Sequence, residues 1–115
     1  MSELKKLREL ATDFLKVLGD STRLEMIDLL QNGEKTASEI KSALKKSQST
    51  ISKHLNMLVE NDLISFEKKG NIKYYKIENS EILALINTIN TIVLNNNKKK
   101  LKEMQEADRR DVLSP

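Results

Sequence analysis

Along the first eighteen positions apolar side chains recur at Leu4, Leu7, Ala11, Phe14, Leu15 and Leu18, the three-and-four spacing of one helical face, and Gly19 ends the pattern. A second helix is predicted after Asp20 or Ser21, either of which can cap it, with Arg23 and Glu25 in its first turn. Its expected buried set is Leu24, Ile27, Leu29 and Leu30, and Asn32-Gly33 closes it. Thr36 followed three residues later by Glu39 is a capping-box pattern, in which each side chain satisfies the other's free backbone N–H. The third helix therefore starts there and runs to about Lys45, burying Ala37, Ile40 and Leu44. Ser47 caps a fourth, with Ile51, Leu55, Leu58 and Val59 inward and Gln48, Ser49, Ser52, Lys53 and Asn56 outward.

The period then shortens from helical to two. Ile-Ser-Phe-Glu-Lys at 64–68 and Ile-Lys-Tyr-Tyr-Lys-Ile at 72–77 are β-type runs around the short turn Lys69-Gly70-Asn71. Tyr74 and Tyr75 fall on opposite faces; Tyr75 shares its face with Ile77 and is expected in the core, while Tyr74 falls on the outward face. Beyond Asn79-Ser80, which can cap another helix, come Ile82, Leu83, Leu85, Ile86, Ile89, Ile92, Val93 and Leu94, apolar on almost every side. A chain of 115 residues has too little protein to cover such a helix. A second copy is the simplest cover, with the first helix contributing, so Leu7, Phe14, Ile82, Leu85, Ile86, Ile89 and Val93 are the expected dimer contacts.

Two short helices followed at once by a hairpin, over residues 36–77, is the order of a helix-turn-helix with a β-wing. The expected fold is mainly α with a small β-hairpin: a winged helix-turn-helix of about five helices and a two-stranded wing. Residues 1–94 form the DNA-binding and dimerisation domain in this reading. Residues 95–115 form a charged tail, partly helical or disordered, in which Leu94, Leu101 and Met104 keep a sparse helical spacing that frays near Asp108.

Charge sharpens this picture. Residues 40–59 and 68–77 hold no acidic residue but contain Lys41, Lys45, Lys46, Lys53, Lys68, Lys69, Lys73 and Lys76. Of the chain's 20 basic residues that leaves twelve elsewhere, against all 17 acidic ones. A modest net charge of +3 is thus concentrated on the elements that would meet a polyanion. With 3 glycines and a single proline, Pro115, little interrupts helices. The absence of cysteine excludes disulfides, thiolate metal sites and thiol redox switching. No stretch approaches the length of a membrane span, and a cytoplasmic location is expected.

A helix fits the DNA major groove, and short polar side chains near its N-terminus reach base edges and phosphates. Gln48 offers an amide that can pair bidentately with adenine, and Ser47, Ser49, Thr50 and Ser52 offer hydroxyls. Lys45, Lys46 and Lys53 supply charge for phosphates, and in the wing Lys68, Lys69, Asn71 and Lys73 can follow the backbone or enter the minor groove. Lysine runs are more often merely solvated; the helix and wing patterns turn the reading toward DNA. His54, beside Leu55, fits packing or a place next to a phosphate better than direct base contact, and it has no partner for metal binding or catalysis. Hydroxyls near it lack an orienting acid or an oxyanion site, so no enzyme is expected.

At LGDSTRLEMIDLL (18–30), SQSTISKHLNMLVENDLI (47–64) and KKGNIKYYKI (68–77) the chain resembles the ArsR family of winged-helix transcriptional regulators, a likeness extending over roughly residues 5–94. The resemblance implies a homodimer built on the first and last helices, binding a palindromic operator, with Gln48, Ser49, Ser52 and Lys53 facing the groove. Metal-sensing members use cysteines, or Asp and His pairs on the last helix. Here there is no cysteine, His54 is the only histidine, and Glu81 is the sole acid between 80 and 94, so no metal, cofactor or known inducer carries over. The expected function is a sequence-specific repressor with double-stranded DNA and a second copy of itself as partners. The competing reading is a protein-interaction adaptor or an antitoxin-type partner whose basic face meets an acidic protein. Short polar residues from 48 to 52, where a docking face more often carries aromatic anchors, favour DNA.

Overall fold

The computed structural model describes residues 2–113, and side chains as far as residue 110. The chain divides into two compact units, one up to Ser80 and one from Glu81 onward.

In the first unit, helix α1 (Glu3–Leu18) starts where Ser2 Oγ accepts the Lys5 N–H and stops where the Gly19 N–H bonds to the Leu15 carbonyl. Helix α2 (Ser21–Leu30) is capped by Asp20, whose carboxylate accepts the Arg23 N–H. Its inward residues are Thr22, Arg23, Met26, Ile27 and Leu30, which corrects the expected set: Leu24 is 38% exposed and Leu29 only half-buried. Arg23 displaces Leu24 because the end of α1 presents carbonyl acceptors to it, and the neighbouring side chain on a helix then points about 100° away.

Strand β1 (Lys35–Thr36) is too short to leave a periodic signal and was not expected. It joins β2 (Ile64–Lys69) and β3 (Ile72–Ile77) in an antiparallel sheet of order β1-β3-β2, so the expected two-stranded wing is a three-stranded sheet. Thr36 ends β1 and also caps helix α3 (Ala37–Leu44). Its Oγ1 accepts the Glu39 N–H at 3.1 Å and its own N–H donates to Glu39 Oε1 at 3.0 Å, the capping box expected from the spacing. Lys45 closes α3 in the left-handed region, with φ 55°. Helix α4 (Gln48–Glu60) follows from the Ser47 cap.

The core lies between these elements. Met26, Ile27, Ile40, Ile51, Leu55, Leu58, Leu63 and Ile64 are all nearly free of solvent, and Tyr75 closes one side with 6% exposure. Leu63 reaches inward because Asp62 takes a positive φ of 59° and the Leu63 N–H returns to the Leu58 carbonyl. Between β2 and β3, Gly70 supplies the positive φ of 65° that the two-residue connection needs. On α1, Leu4, Leu7, Leu10 and Leu15 stand exposed rather than buried.

The second unit holds α5 (Glu81–Asn96) and α6 (Lys98–Leu113), so the described residues form six helices rather than five. Only Asn97 separates them. Its N–H bonds to the Val93 and Leu94 carbonyls and its carbonyl accepts from Leu101, so the hydrogen-bond ladder runs through the junction. The charged tail is therefore helical past Asp108, where fraying was expected. Leu85, Ile89, Ile92, Val93 and Leu94 of α5 are exposed.

Candidate nucleic-acid interface

The exposed end of α4 is ordered by its own hydroxyls. Ser47 Oγ accepts the Thr50 N–H at 3.2 Å and donates to Thr50 Oγ1 at 2.9 Å. Its one proton being committed, the 3.2 Å contact with Ser49 Oγ has Ser49 as donor. One turn along, Gln48 Nε2 donates to Ser52 Oγ at 3.3 Å. An amide carries two N–H donors and an acceptor, so this contact leaves Gln48 one further N–H and its Oε1. Lys45 and Lys53 are exposed beside this set and Lys46 is half-buried.

The wing is two-faced. Register pairs Lys68 with Lys73 and Phe66 with Tyr75, so these four side chains share one face. Like charges directly opposite repel, and Lys73 Nζ instead rests 4.4 Å from the centre of the Phe66 ring. Lys68, Asn71 and Lys73 line an open cleft of about 470 Å³ together with Thr36, Ser38, Gln48 and Ser52. Residues of α4 and of the wing separated by some twenty positions thus border the same space.

Lys69 is not part of it. On the other wing face it lies 4.8 Å from the centre of the Tyr74 ring and forms a 3.0 Å ion pair with Glu34, whose hydrogen bond raises the ammonium's pKa. The basic surface is free of acid along the sequence but not in space. Glu34 escaped notice because it precedes the acid-free stretches and reaches the wing only through folding. Tyr74 is half-buried.

Behind α4, His54 Nδ1 lies 2.9 Å from Arg23 Nη1. The same buried guanidinium donates through Nε to the Val17 carbonyl and through Nη2 to the Lys16 carbonyl at 3.3 Å. Asp20 completes the group. The Arg23 backbone N–H holds its carboxyl below the usual carboxylate range, helped by the charge of Arg23 and opposed by burial. Arg23 was expected only as a first-turn residue, and its one sign in the sequence is a charge at a position that helical spacing turns inward.

Of the apolar residues expected to meet a second copy, Leu7, Leu85, Ile89 and Val93 are exposed, and Phe14 and Ile86 are half-buried. Ile82 is already covered, at 8% exposure, and has little surface left to offer. Among the described residues no three His, Asp or Glu side chains gather where a metal ion could be held, and no helix is long and apolar enough to cross a membrane.

A capped polar helix set behind a tight turn, flanked by a β-hairpin bearing lysines, defines a winged helix-turn-helix regulator. The profile of the bacterial regulatory protein, arsR family, matches residues 20–65. The arsenical resistance operon repressor of Staphylococcus aureus is 36% identical over 101 residues, covering 88% of this chain and 96% of that one. The transcriptional activator HlyU of Vibrio cholerae is 27% identical over 92 residues, covering 80% and 85%. A solved structure of HlyU from Vibrio cholerae matches with a TM-score of 0.66 at 26% identity over 80% of this chain and 97% of its own. Rv0081 of M. tuberculosis matches the fold at 0.75 and 20% identity, over 88% and 99%. The chain belongs to the arsR family of DNA-binding transcriptional regulators.

Proposed function

We propose that the chain is a repressor that acts as a homodimer in the cytoplasm, occupying a palindromic operator without sensing a metal. The observation that carries this reading is the cleft in which Gln48 and Ser52 of α4 face Lys68, Asn71 and Lys73 of the wing. Helix α4 enters the major groove with Gln48, Ser49 and Ser52 at base edges. Lys45, Lys46 and Lys53 meet the phosphates beside it, and Lys68 and Lys73 the flanking backbone. Exposed leucines on α1 and the apolar surface of α5 support pairing of two copies, which sets two recognition helices about 34 Å apart, one turn of duplex. Occupancy of a promoter then blocks transcription. Independence from metal is supported by the lack of cysteine and by the single histidine, whose Nδ1 is engaged by Arg23.

Selection from random duplexes with the purified full chain tests this. Enrichment of a reproducible inverted repeat, bound by two copies, is the expected result. Failure to enrich any sequence would overturn it in favour of a protein-binding role for the same face.

A further inference from the structure

Arg23 is a charged residue with 9% of its surface exposed, and burying a guanidinium is tolerated only where its donors find acceptors. Two are carbonyls of the last turn of α1, the end of a helix whose dipole favours a cation. The third is His54. A guanidinium has no lone pair to accept with and stays protonated, so in the 2.9 Å contact the histidine nitrogen Nδ1 must be the acceptor. The neutral ring then carries its proton on Nε2. Among the described residues no hydrogen bond uses Nε2, and Ser65 Oγ is the one buried side-chain polar atom left without a partner there, so Nε2 keeps an edge open to solvent. His54 follows Thr50 by one helical turn and adjoins Lys53, which places this donor at the border of the surface that meets DNA.

We propose that His54 donates its Nε2–H to a DNA phosphate and that Arg23 is the positioning residue for it, fixing the ring's tautomer and tying the recognition helix to the C-terminal end of α1. The proposal rests on the DNA-binding reading. It gives the buried arginine a task that core packing does not require, since a Leu or Met of similar size would fill the same space. It also gives α1 a direct hold on α4, through one side chain that touches both helices.

Nitrogen-15 correlation spectra of the imidazole in the full chain are the first test. The Nε2–H tautomer should dominate in the wild type, and Arg23→Met should restore a mixture of tautomers. Adding duplex to the wild type should shift the Nε2 proton and slow its exchange. Binding is the second test. His54→Asn keeps an acceptor near the Nδ1 position but has no outward donor, and should weaken specific and random duplexes alike by about tenfold, the loss of one hydrogen bond to a charged group. The salt slope should not change, since a neutral donor displaces no counterion. His54→Gln, whose amide reaches the Nε2 position, should bind within about threefold of wild type. Arg23→Met combined with His54→Asn should be no worse than His54→Asn alone. An Nδ1–H tautomer in the wild type, or His54→Asn binding as tightly as wild type, would overturn the proposal. If the wild type bound no duplex at all, the DNA reading would fail and the phosphate contact with it, while the tautomer spectra would still report on the Arg23–His54 bond.

Discussion

Lys69 Nζ lies 3.0 Å from Glu34 Oε1, so a loop residue 35 positions away withdraws one lysine from the wing's free charge. Lys68 and Lys73, on the opposite wing face, have no such partner among the described salt bridges. Lys68→Ala and Lys73→Ala should each weaken binding to random DNA and flatten its dependence on salt by about one phosphate's share, near 0.9. Lys69→Ala should do so least, and Glu34→Gln should steepen the slope. Fluorescence anisotropy titrations across a salt series would decide it, and equal losses for all three lysines would show that the ion pair does not persist on DNA.

If α4 reads DNA as proposed, charge and base reading separate along it. Lys46→Ala and Lys53→Ala should reduce affinity for every duplex by a similar factor. Gln48→Ala should cost about 1 to 3 kcal/mol on the selected operator and almost nothing on random sequence. Parallel gel shifts with both duplexes measure the ratio. A ratio unchanged by Gln48→Ala would remove this side chain from base reading.

The exposed apolar rows give an association test. Leu7→Glu, and Ile89→Lys on α5, each place a charge on a surface expected to be covered by a second copy. Sedimentation equilibrium should show a dimer for the wild type and a shift toward monomer for each variant, with weakened operator binding. A wild type that sediments as a monomer at micromolar concentration would contradict the pairing.

Asp20 ties stability to acidity. Its folded-state pKa lies below the ordinary 3.8, so the stabilisation it provides is fully present above that value and is lost as the pH falls through the folded one. Asp20→Ala, which deletes the cap of α2, should cost about 1 kcal/mol in urea denaturation at pH 7. The gap between the two proteins should narrow below about pH 4. A gap independent of pH would mean that the carboxylate is not what caps the helix.

Met26 is fully enclosed, whereas Leu24, two positions earlier, is 38% exposed. Met26→Ala should therefore destabilise by about 2 to 5 kcal/mol and Leu24→Ala by far less. Thermal melts of the two variants would test which face of α2 is inside.

These contrasts mark where the chain's sequence was readable. The Thr36–Glu39 box, the Ser47 cap and the Gly70 turn are set by residues two to four positions apart, so spacing alone revealed them. Polar residues of α4 were legible for the same reason: a helix with Ile51, Leu55 and Leu58 inward has only one outward side. What escaped depends on distant partners. Strand β1 exists because Lys35 and Thr36 pair with Tyr75 and Tyr74, Arg23 turns inward because α1 ends beside it, and Lys69 is neutralised by a residue from another loop. Residue type misled most at Arg23, where a charge placed only in the first turn of α2 is a buried tie between two helices.

Between α3 and α4 the chain bends at Lys45, in a left-handed conformation that glycine adopts freely and that costs lysine about 1 kcal/mol. Glycine here would ease that strain, but it would also let the joint visit many other angles. A residue with a β-carbon makes the bend a stiff elbow, so the angle at which α4 is presented is settled by the fold itself. On the DNA-reading role proposed for α4, discrimination between operators would then draw on rigidity in the hinge as well as on the side chains at its tip.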